Sequence, residues 1–146
     1  MIVDEFFSTI DFSDDEARRQ FISLFKEASL AEDEVLFDCN EPADKLYFLK
    51  EGHLAVHKYT GFLKNMQVIA LLDPCTVVGE AALLQSHVRT TRVTAIVDSK
   101  LTFIKRKEFS HFQKQFPESS SCFLQYLFSI VSLRLEKTSE RLARIL

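Results

Sequence analysis

Six short apolar runs, each closed by turn-forming residues, fill residues 33 to 104 and restrict the fold more than any other feature of the 146-residue chain. The runs are Val35-Leu36-Phe37, Leu46-Tyr47-Phe48-Leu49, Leu54-Ala55-Val56, Val68-Ile69-Ala70-Leu71-Leu72, Val93-Thr94-Ala95-Ile96-Val97 and Leu101-Thr102-Phe103-Ile104. Between them stand Asn40-Glu41-Pro42, Glu51-Gly52, Thr60-Gly61, Asp73-Pro74 and Asp98-Ser99. Runs of this length are too short for core helices and suit strands, and their regular punctuation predicts an antiparallel sandwich or a jelly-roll barrel. Strands and helices do not alternate, which disfavours a doubly wound sheet. The expected fold is therefore mainly β with flanking helices (α+β), built on a jelly-roll, cupin-like β-barrel.

One domain, residues 1–146, is expected, because a chain of this size buries enough surface to fold unaided. Residues 1–30 read as N-terminal helices. Ser13-Asp14-Asp15-Glu16 has the pattern of a capping box, and Phe21, Leu24, Phe25 and Ala28 follow at helical spacing. The barrel occupies 31–105, and helices return over 106–146. Lys107 to Phe116 forms one short helix stopped by Pro117, and Ser119-Ser120-Ser121 offers N-caps for a last helix reaching Leu146. In that helix Leu124, Phe128, Val131, Leu135, Thr138, Leu142 and Ile145 recur in alternating steps of four and three. This is a coiled-coil seam with one polar position, Thr138. Beside it Phe123, Leu127 and Ile130 give way to Arg134, Lys137 and Arg141. The first half should thus be buried on two sides, against the barrel and a partner helix, and the second half against a partner alone. The competing reading is a helix packed on its own domain.

Fourteen Phe and no Trp predict an aromatic core, and a net charge of -3 offers no broad basic surface for nucleic acid. No apolar run reaches the length of a membrane span. The acidic start Met1-Ile2-Val3-Asp4-Glu5 lacks the positive region of a signal peptide. Cys39, Cys75 and Cys122 are odd in number and widely spaced, which argues against a disulfide framework or zinc site. The expectation is a cytoplasmic protein with reduced thiols.

The chemistry concentrates in residues 78–92. Gly79 is one of three glycines and opens the helix-forming run Ala81 to Leu84. A glycine at that place lets backbone amides approach an anion, which the start of a helix favours. Arg89 follows ten residues later, and a guanidinium forks onto two phosphate oxygens. Thr90 adds a hydroxyl, and the Glu80 carboxylate is an acceptor suited to a sugar hydroxyl. Gly-Glu-x-Ala-Leu followed by Arg-Thr and Val-x-Ala resembles the phosphate-binding cassette of cyclic-nucleotide-binding domains. These occur in catabolite-activator-type regulators, protein kinase regulatory subunits and nucleotide-gated channels. The resemblance implies that Gly79 and Ala81 amides and Arg89 hold the cyclic phosphate, that Glu80 holds the ribose 2′-hydroxyl, and that Thr90 adds a phosphate or base contact. Asp44 to Val56 is similar to the family's hairpin, with its glycine turn at Gly52. Leu133 to Leu142 is similar to the last helix of the catabolite activators. There the resemblance implies that Thr138 and Ser139 read the exocyclic amine across a homodimer and that Arg134 closes the site.

The implied function is a cAMP sensor, with cGMP the second choice because Thr90 resembles the hydroxyl of cGMP-selective members. Ligand binding would move the last helix, without catalysis, metal, membrane or nucleic-acid contact by this chain itself. Two departures stand out: Asn40-Glu41 and Cys75 replace glycines of the family pattern. Asn tolerates positive φ, whereas Cys75 there would be strained, so the turn before the cassette is expected to differ. Three alternatives compete. Arg89 and Glu80 would form a surface pair worth about 0–1 kcal/mol. A barrel without a pocket would act only as an interaction and dimerisation module. A metal-cupin enzyme would use His53 and His57, but residues four apart on a strand lie roughly 13 Å apart, too far to share one ion.

Overall fold

The computed structural model describes residues 7–12, 14–61, 65–84 and 87–146. Helix α1 (Asp15–Ser23) precedes eight strands: β1 (Lys26–Leu30), β2 (Val35–Phe37), β3 (Lys45–Glu51), β4 (Leu54–Thr60), β5 (Asn65–Leu72), β6 (Thr76–Val78), β7 (Arg92–Ala95) and β8 (Ser99–Lys105). A 3₁₀ turn, Glu80–Leu83, separates β6 from β7. Helices α2 (Arg106–Gln115) and α3 (Pro117–Ile145) follow. The strands form two antiparallel four-stranded sheets, ordered β1-β8-β3-β6 and β2-β7-β4-β5. The fold is the expected one, mainly β with flanking helices.

The four consecutive apolar residues of β3 show why the layers form. Side chains of a strand alternate between faces. Leu46 and Phe48 enter a cluster shared with the helices, while Tyr47 and Leu49 enter the barrel interior. Val77 and Val78 of β6 divide in the same way. A sheet covered on both faces reads as a continuous apolar run. The helical cluster is aromatic, as the phenylalanine content predicts: Phe7 meets Phe48 at 4.8 Å between ring centroids, Phe25 at 5.4 Å, Phe21 at 5.5 Å and Phe123 at 5.7 Å.

Three local expectations are corrected. Residues 26–30 are not helical: α1 ends at Ser23, and Lys26–Leu30 pairs with β8, Ala28 opposite Leu101. Sheet pairing there overrides the local helical spacing of Phe21, Leu24, Phe25 and Ala28. The α1 cap is Asp14, whose Oδ1 accepts from the Glu16 N–H at 2.9 Å and the Ala17 N–H at 3.5 Å; Ser13 lies outside the described residues. The Glu16 carboxylate turns to Arg19 and Gln20 rather than back to the cap. The serines after Pro117 do not cap α3 either. Pro117 itself is the first helical residue, where its fixed φ and missing N–H are tolerated. Ser119 is buried and donates to the Phe12 carbonyl at 2.8 Å, and Ser120 donates to the Pro117 carbonyl.

The turn before the cassette also departs from expectation. Cys75 retains positive φ, 70°, as Asn40 does at 69°. Its N–H donates to the Leu49 carbonyl at 2.9 Å, so the connection between β5 and β6 keeps the geometry a glycine would take, at a cysteine.

Candidate functional site

A cavity of about 260 Å³ opens between the barrel wall and the 3₁₀ turn. Phe37, Val56, Ala70, Leu72, Val78 and Val93 form its apolar side. Gly79, Glu80, Ala81, Arg89 and Thr90 form its polar side, and Arg134 reaches it from α3. Six of the eight residues singled out from the sequence are thus brought to one cavity.

Gly79 makes the geometry possible. It stands at φ 74° at the head of the turn, and a Cβ there would lie 2.4 Å from Arg89 Nη1. Only a residue without a side chain lets the guanidinium lie against the turn in this conformation. Arg89 is 5% exposed. Its Nη1 donates to the Gly79 carbonyl at 3.1 Å and its Nη2 to the Lys45 carbonyl at 2.7 Å. The guanidinium carbon lies 4.0 Å from the centre of the Phe37 ring. Its backbone is fixed as well: the Arg89 N–H donates to the Glu41 carbonyl, and the Asn40 N–H donates to the Arg89 carbonyl, both at 2.8 Å.

Among the described residues Arg89 makes no salt bridge, and its Nε is buried without a hydrogen-bond partner. Burial pushes the guanidinium below its ordinary range, while Tyr47, Asp44, Glu80 and Glu41 pull it back up. A buried cation without a carboxylate is costly unless something neutralises it. The surface pair weighed between Arg89 and Glu80 does not form. Instead Glu80 Oε2 accepts from Arg134 Nη1 at 3.4 Å. Arg134 Nη2 donates to Thr76 Oγ1 at 2.6 Å and to the Val77 carbonyl. Burial lowers the Arg134 pKa, and Glu80 opposes that shift.

A buried arginine aimed at a glycine turn, with a carboxylate beside it, suits a phosphorylated sugar, and comparison with known proteins gives the family. The sequence model of the cyclic nucleotide-binding domain matches residues 27–116. The chain belongs to this family. It is a cyclic nucleotide-binding regulatory domain. Over 106 residues it is 32% identical to the cGMP-dependent protein kinase egl-4 of Caenorhabditis briggsae, which covers 72% of this chain and 13% of the kinase. The kinase activity in that name belongs to that protein. Two solved structures share the fold. A cyclic nucleotide-binding domain from Methylobacillus flagellatus superposes with a TM-score of 0.86 at 19% identity, covering 97% of this chain and 81% of that one. The Thermus thermophilus catabolite activator protein gives 0.70 at 20% identity, covering 89% and 59%.

Within this domain, Thr138 and Ser139 do not reach the cavity. Thr138 lines a separate cleft with Arg134 and receives a 3.5 Å hydrogen bond from Arg141. Ser139 is exposed on the helix surface. His53 Nδ1 lies 3.0 Å from Asp73 and His57 Nε2 3.0 Å from Thr94 Oγ1, so the two histidines serve different neighbours. Among the described residues no three His, Cys, Asp or Glu side chains gather closely enough to hold one ion, and no helix is long and apolar enough to cross a membrane.

Sequence reasoning missed Phe37, the aromatic floor under Arg89, and Thr76, the hydroxyl under Arg134. Each lies more than fifty residues from its arginine, and no local pattern connects them. It also missed His87 and Thr91, which line the cavity. Their places between cassette and strand were visible, but which side chains turn inward was not.

Proposed function

We propose that this domain binds cAMP in the barrel cavity and reports occupancy through α3. The supporting observation is Arg89: a buried guanidinium with an unpartnered Nε, held by two carbonyls and an aromatic ring against the only residue type that permits the approach. In this reading Arg89 and the amides of Gly79 and Ala81 hold the cyclic phosphate. Glu80 accepts from the ribose 2′-hydroxyl. Thr90 adds a hydroxyl contact at the phosphate or base. The apolar wall of Val56, Leu72 and Val93 excludes water from these contacts, which strengthens them.

Arg134 connects ligand to helix. It grips Glu80 and the β6 backbone, so any change at Glu80 is felt by α3 directly. Two arrangements of α3 that differ in ligand affinity are enough for a population shift. Thr138 and Ser139 read the base once α3 moves over the cavity or a second α3 supplies them. A homodimer through α3 supports that reading: Phe123 is fully buried on the barrel side, whereas Phe128, Leu135 and Ile145 of the seam are 74%, 65% and 81% exposed. An apolar stripe of this extent calls for a partner surface.

cGMP is the second reading, favoured by the Thr90 hydroxyl at the cavity and by the name of the Caenorhabditis relative. Calorimetric titration with cAMP and cGMP, alongside Arg89→Ala, tests both. We expect tighter binding of cAMP, weakened on the order of 10–100-fold in the variant, as for loss of charge-assisted hydrogen bonds worth about 1.5–3 kcal/mol. Tighter cGMP binding would establish the second reading. No heat with either nucleotide, and none carried through purification, would overturn the sensor.

A further inference from the structure

Past Arg134, helix α3 stands away from the barrel and leaves a groove of about 340 Å³ against strand β5. Ala70 and Leu71 line one side, and Lys137, Glu140, Arg141 and Arg144 line the other. Successive strand side chains leave opposite faces of a sheet. A groove lined by both Ala70 and Leu71 therefore runs along the edge of β5 rather than over one face. Among the described residues that edge pairs with no further strand: β5 is the terminal strand of the order β2-β7-β4-β5. It is also apolar, with Val68 53% and Leu71 66% exposed. Such an edge is a template for another strand on either side of the register shift at Ile69, where Val68 and Ala70 pair with the consecutive His57 and Val56.

The opposite wall is cationic by design of the helix repeat. Arg134, Lys137, Arg141 and Arg144 recur in steps of three and four and share one face. Arg134 is engaged with Glu80, but among the described residues Lys137, Arg141 and Arg144 take part in no salt bridge. Each basic residue precedes a seam residue by one position, about 100° around the helix. Pairing of α3 through Leu135, Leu142 and Ile145 leaves these cations unneutralised.

We propose that the groove between β5 and α3 binds an acidic, extended segment of a partner protein, which adds to the sheet as a further strand. Main-chain hydrogen bonds to β5 supply the affinity of such an added strand, and alternate side chains supply its specificity. Carboxylates on one face of the incoming strand meet Lys137, Arg141 and Arg144, and apolar residues on the other cover Leu71. A second copy of this chain suits the groove less well, because its own β5, Asn65 to Leu72, carries no acidic residue. A nucleic acid meets Glu140 in the groove and finds no aromatic side chain there on which to stack a base.

The test uses the full chain without nucleotide, so that its failure is separate from failure of the sensor reading. A fluorescein-labelled octapeptide of alternating Val and Glu is titrated by anisotropy. Saturable binding that weakens with salt is expected, with about a tenfold loss in the Lys137→Glu, Arg141→Glu double variant, whose two changes are exposed and leave the core intact. The same peptide N-methylated at alternate residues is expected to lose binding, because it cannot extend the sheet. Equal binding of a Val-Lys octapeptide, displacement by oligothymidylate, indifference to the double variant or to N-methylation, or no binding of the Val-Glu peptide would each overturn the proposal.

Discussion

The cassette arm from Gly79 to Arg89 and the last turns of α3 both carry residues that the sequence singles out for ligand contact, yet they stand at opposite limits of packing. Arg89 is held at its backbone by residues 40 and 41, at its guanidinium by Gly79 and Lys45, and from below by Phe37. From Leu135 onward every residue of α3 is exposed, and the Thr138 hydroxyl accepts from Arg141 of its own helix. The cassette is completed by the chain's own barrel. The end of α3 leaves its apolar seam exposed, with Leu135 at 65% and Ile145 at 81%. A site on rigid elements is preorganised, whereas a helix face without a partner specifies its contacts only after association.

The sharpest way to separate the two regions is a pair of phenylalanines one and a half turns apart on α3. Phe123→Ala removes a fully buried ring from the aromatic cluster and is expected to cost about 3–5 kcal/mol in urea unfolding. Phe128→Ala removes an exposed one and should change monomer stability by no more than about 0.5 kcal/mol. It should instead weaken self-association, read by sedimentation equilibrium. Equal stability losses would mean that the seam is already covered by the chain's own domain.

Gly79→Ala attacks the completed site at its tightest contact. Positive φ alone costs a side chain roughly 1–2 kcal/mol. The added Cβ would also displace Arg89 Nη1 from 2.4 Å, so nucleotide affinity should fall further than stability. A variant with full affinity would show that Arg89 moves without loss. Arg134→Ala cuts the connection between the regions. Its hydrogen bonds are partly exposed, so about 0.5–1.5 kcal/mol of stability is expected to go. The clearer readout is amide exchange in α3 beyond Leu133, which should accelerate. The smallest effect is a gain. Cys75→Gly relieves positive φ at the turn and gives back part of it as chain entropy, for a net stabilisation of about 0.5–1 kcal/mol in thermal unfolding. A loss would mean that the cysteine side chain contributes packing there.

Much of this was readable in the sequence because the signals are local. The alternation that sends Leu46 and Phe48 one way and Tyr47 and Leu49 the other is written in four adjacent residues. So is the spacing that puts Phe123 and Leu127 under α3 while Leu124 and Phe128 face outward. The cassette was legible for the same reason, since Gly79, Glu80 and Arg89 lie within eleven residues. Local reading went wrong where a distant segment outweighed it. Residues 26–30 became a strand because β8 offered a complete ladder, and the serines after Pro117 were drawn inside the helix by the Phe12 carbonyl and the turn below.

By itself the sequence determined the short-range properties: strand lengths, turn positions, the glycine that admits an arginine, and the stripes of α3. These depend on residue size, charge and periodicity over a few positions. Only the tertiary structure decided that Arg89 has no carboxylate partner among the described residues, that Glu80 belongs to Arg134 instead, and that Phe37 supports the site from below. It also decided that the basic stripe of α3 faces β5, the terminal strand of its sheet among the described residues. Each of those facts is a meeting of segments brought together by burial of the shared core, and burial is a property of the whole chain rather than of any stretch of it.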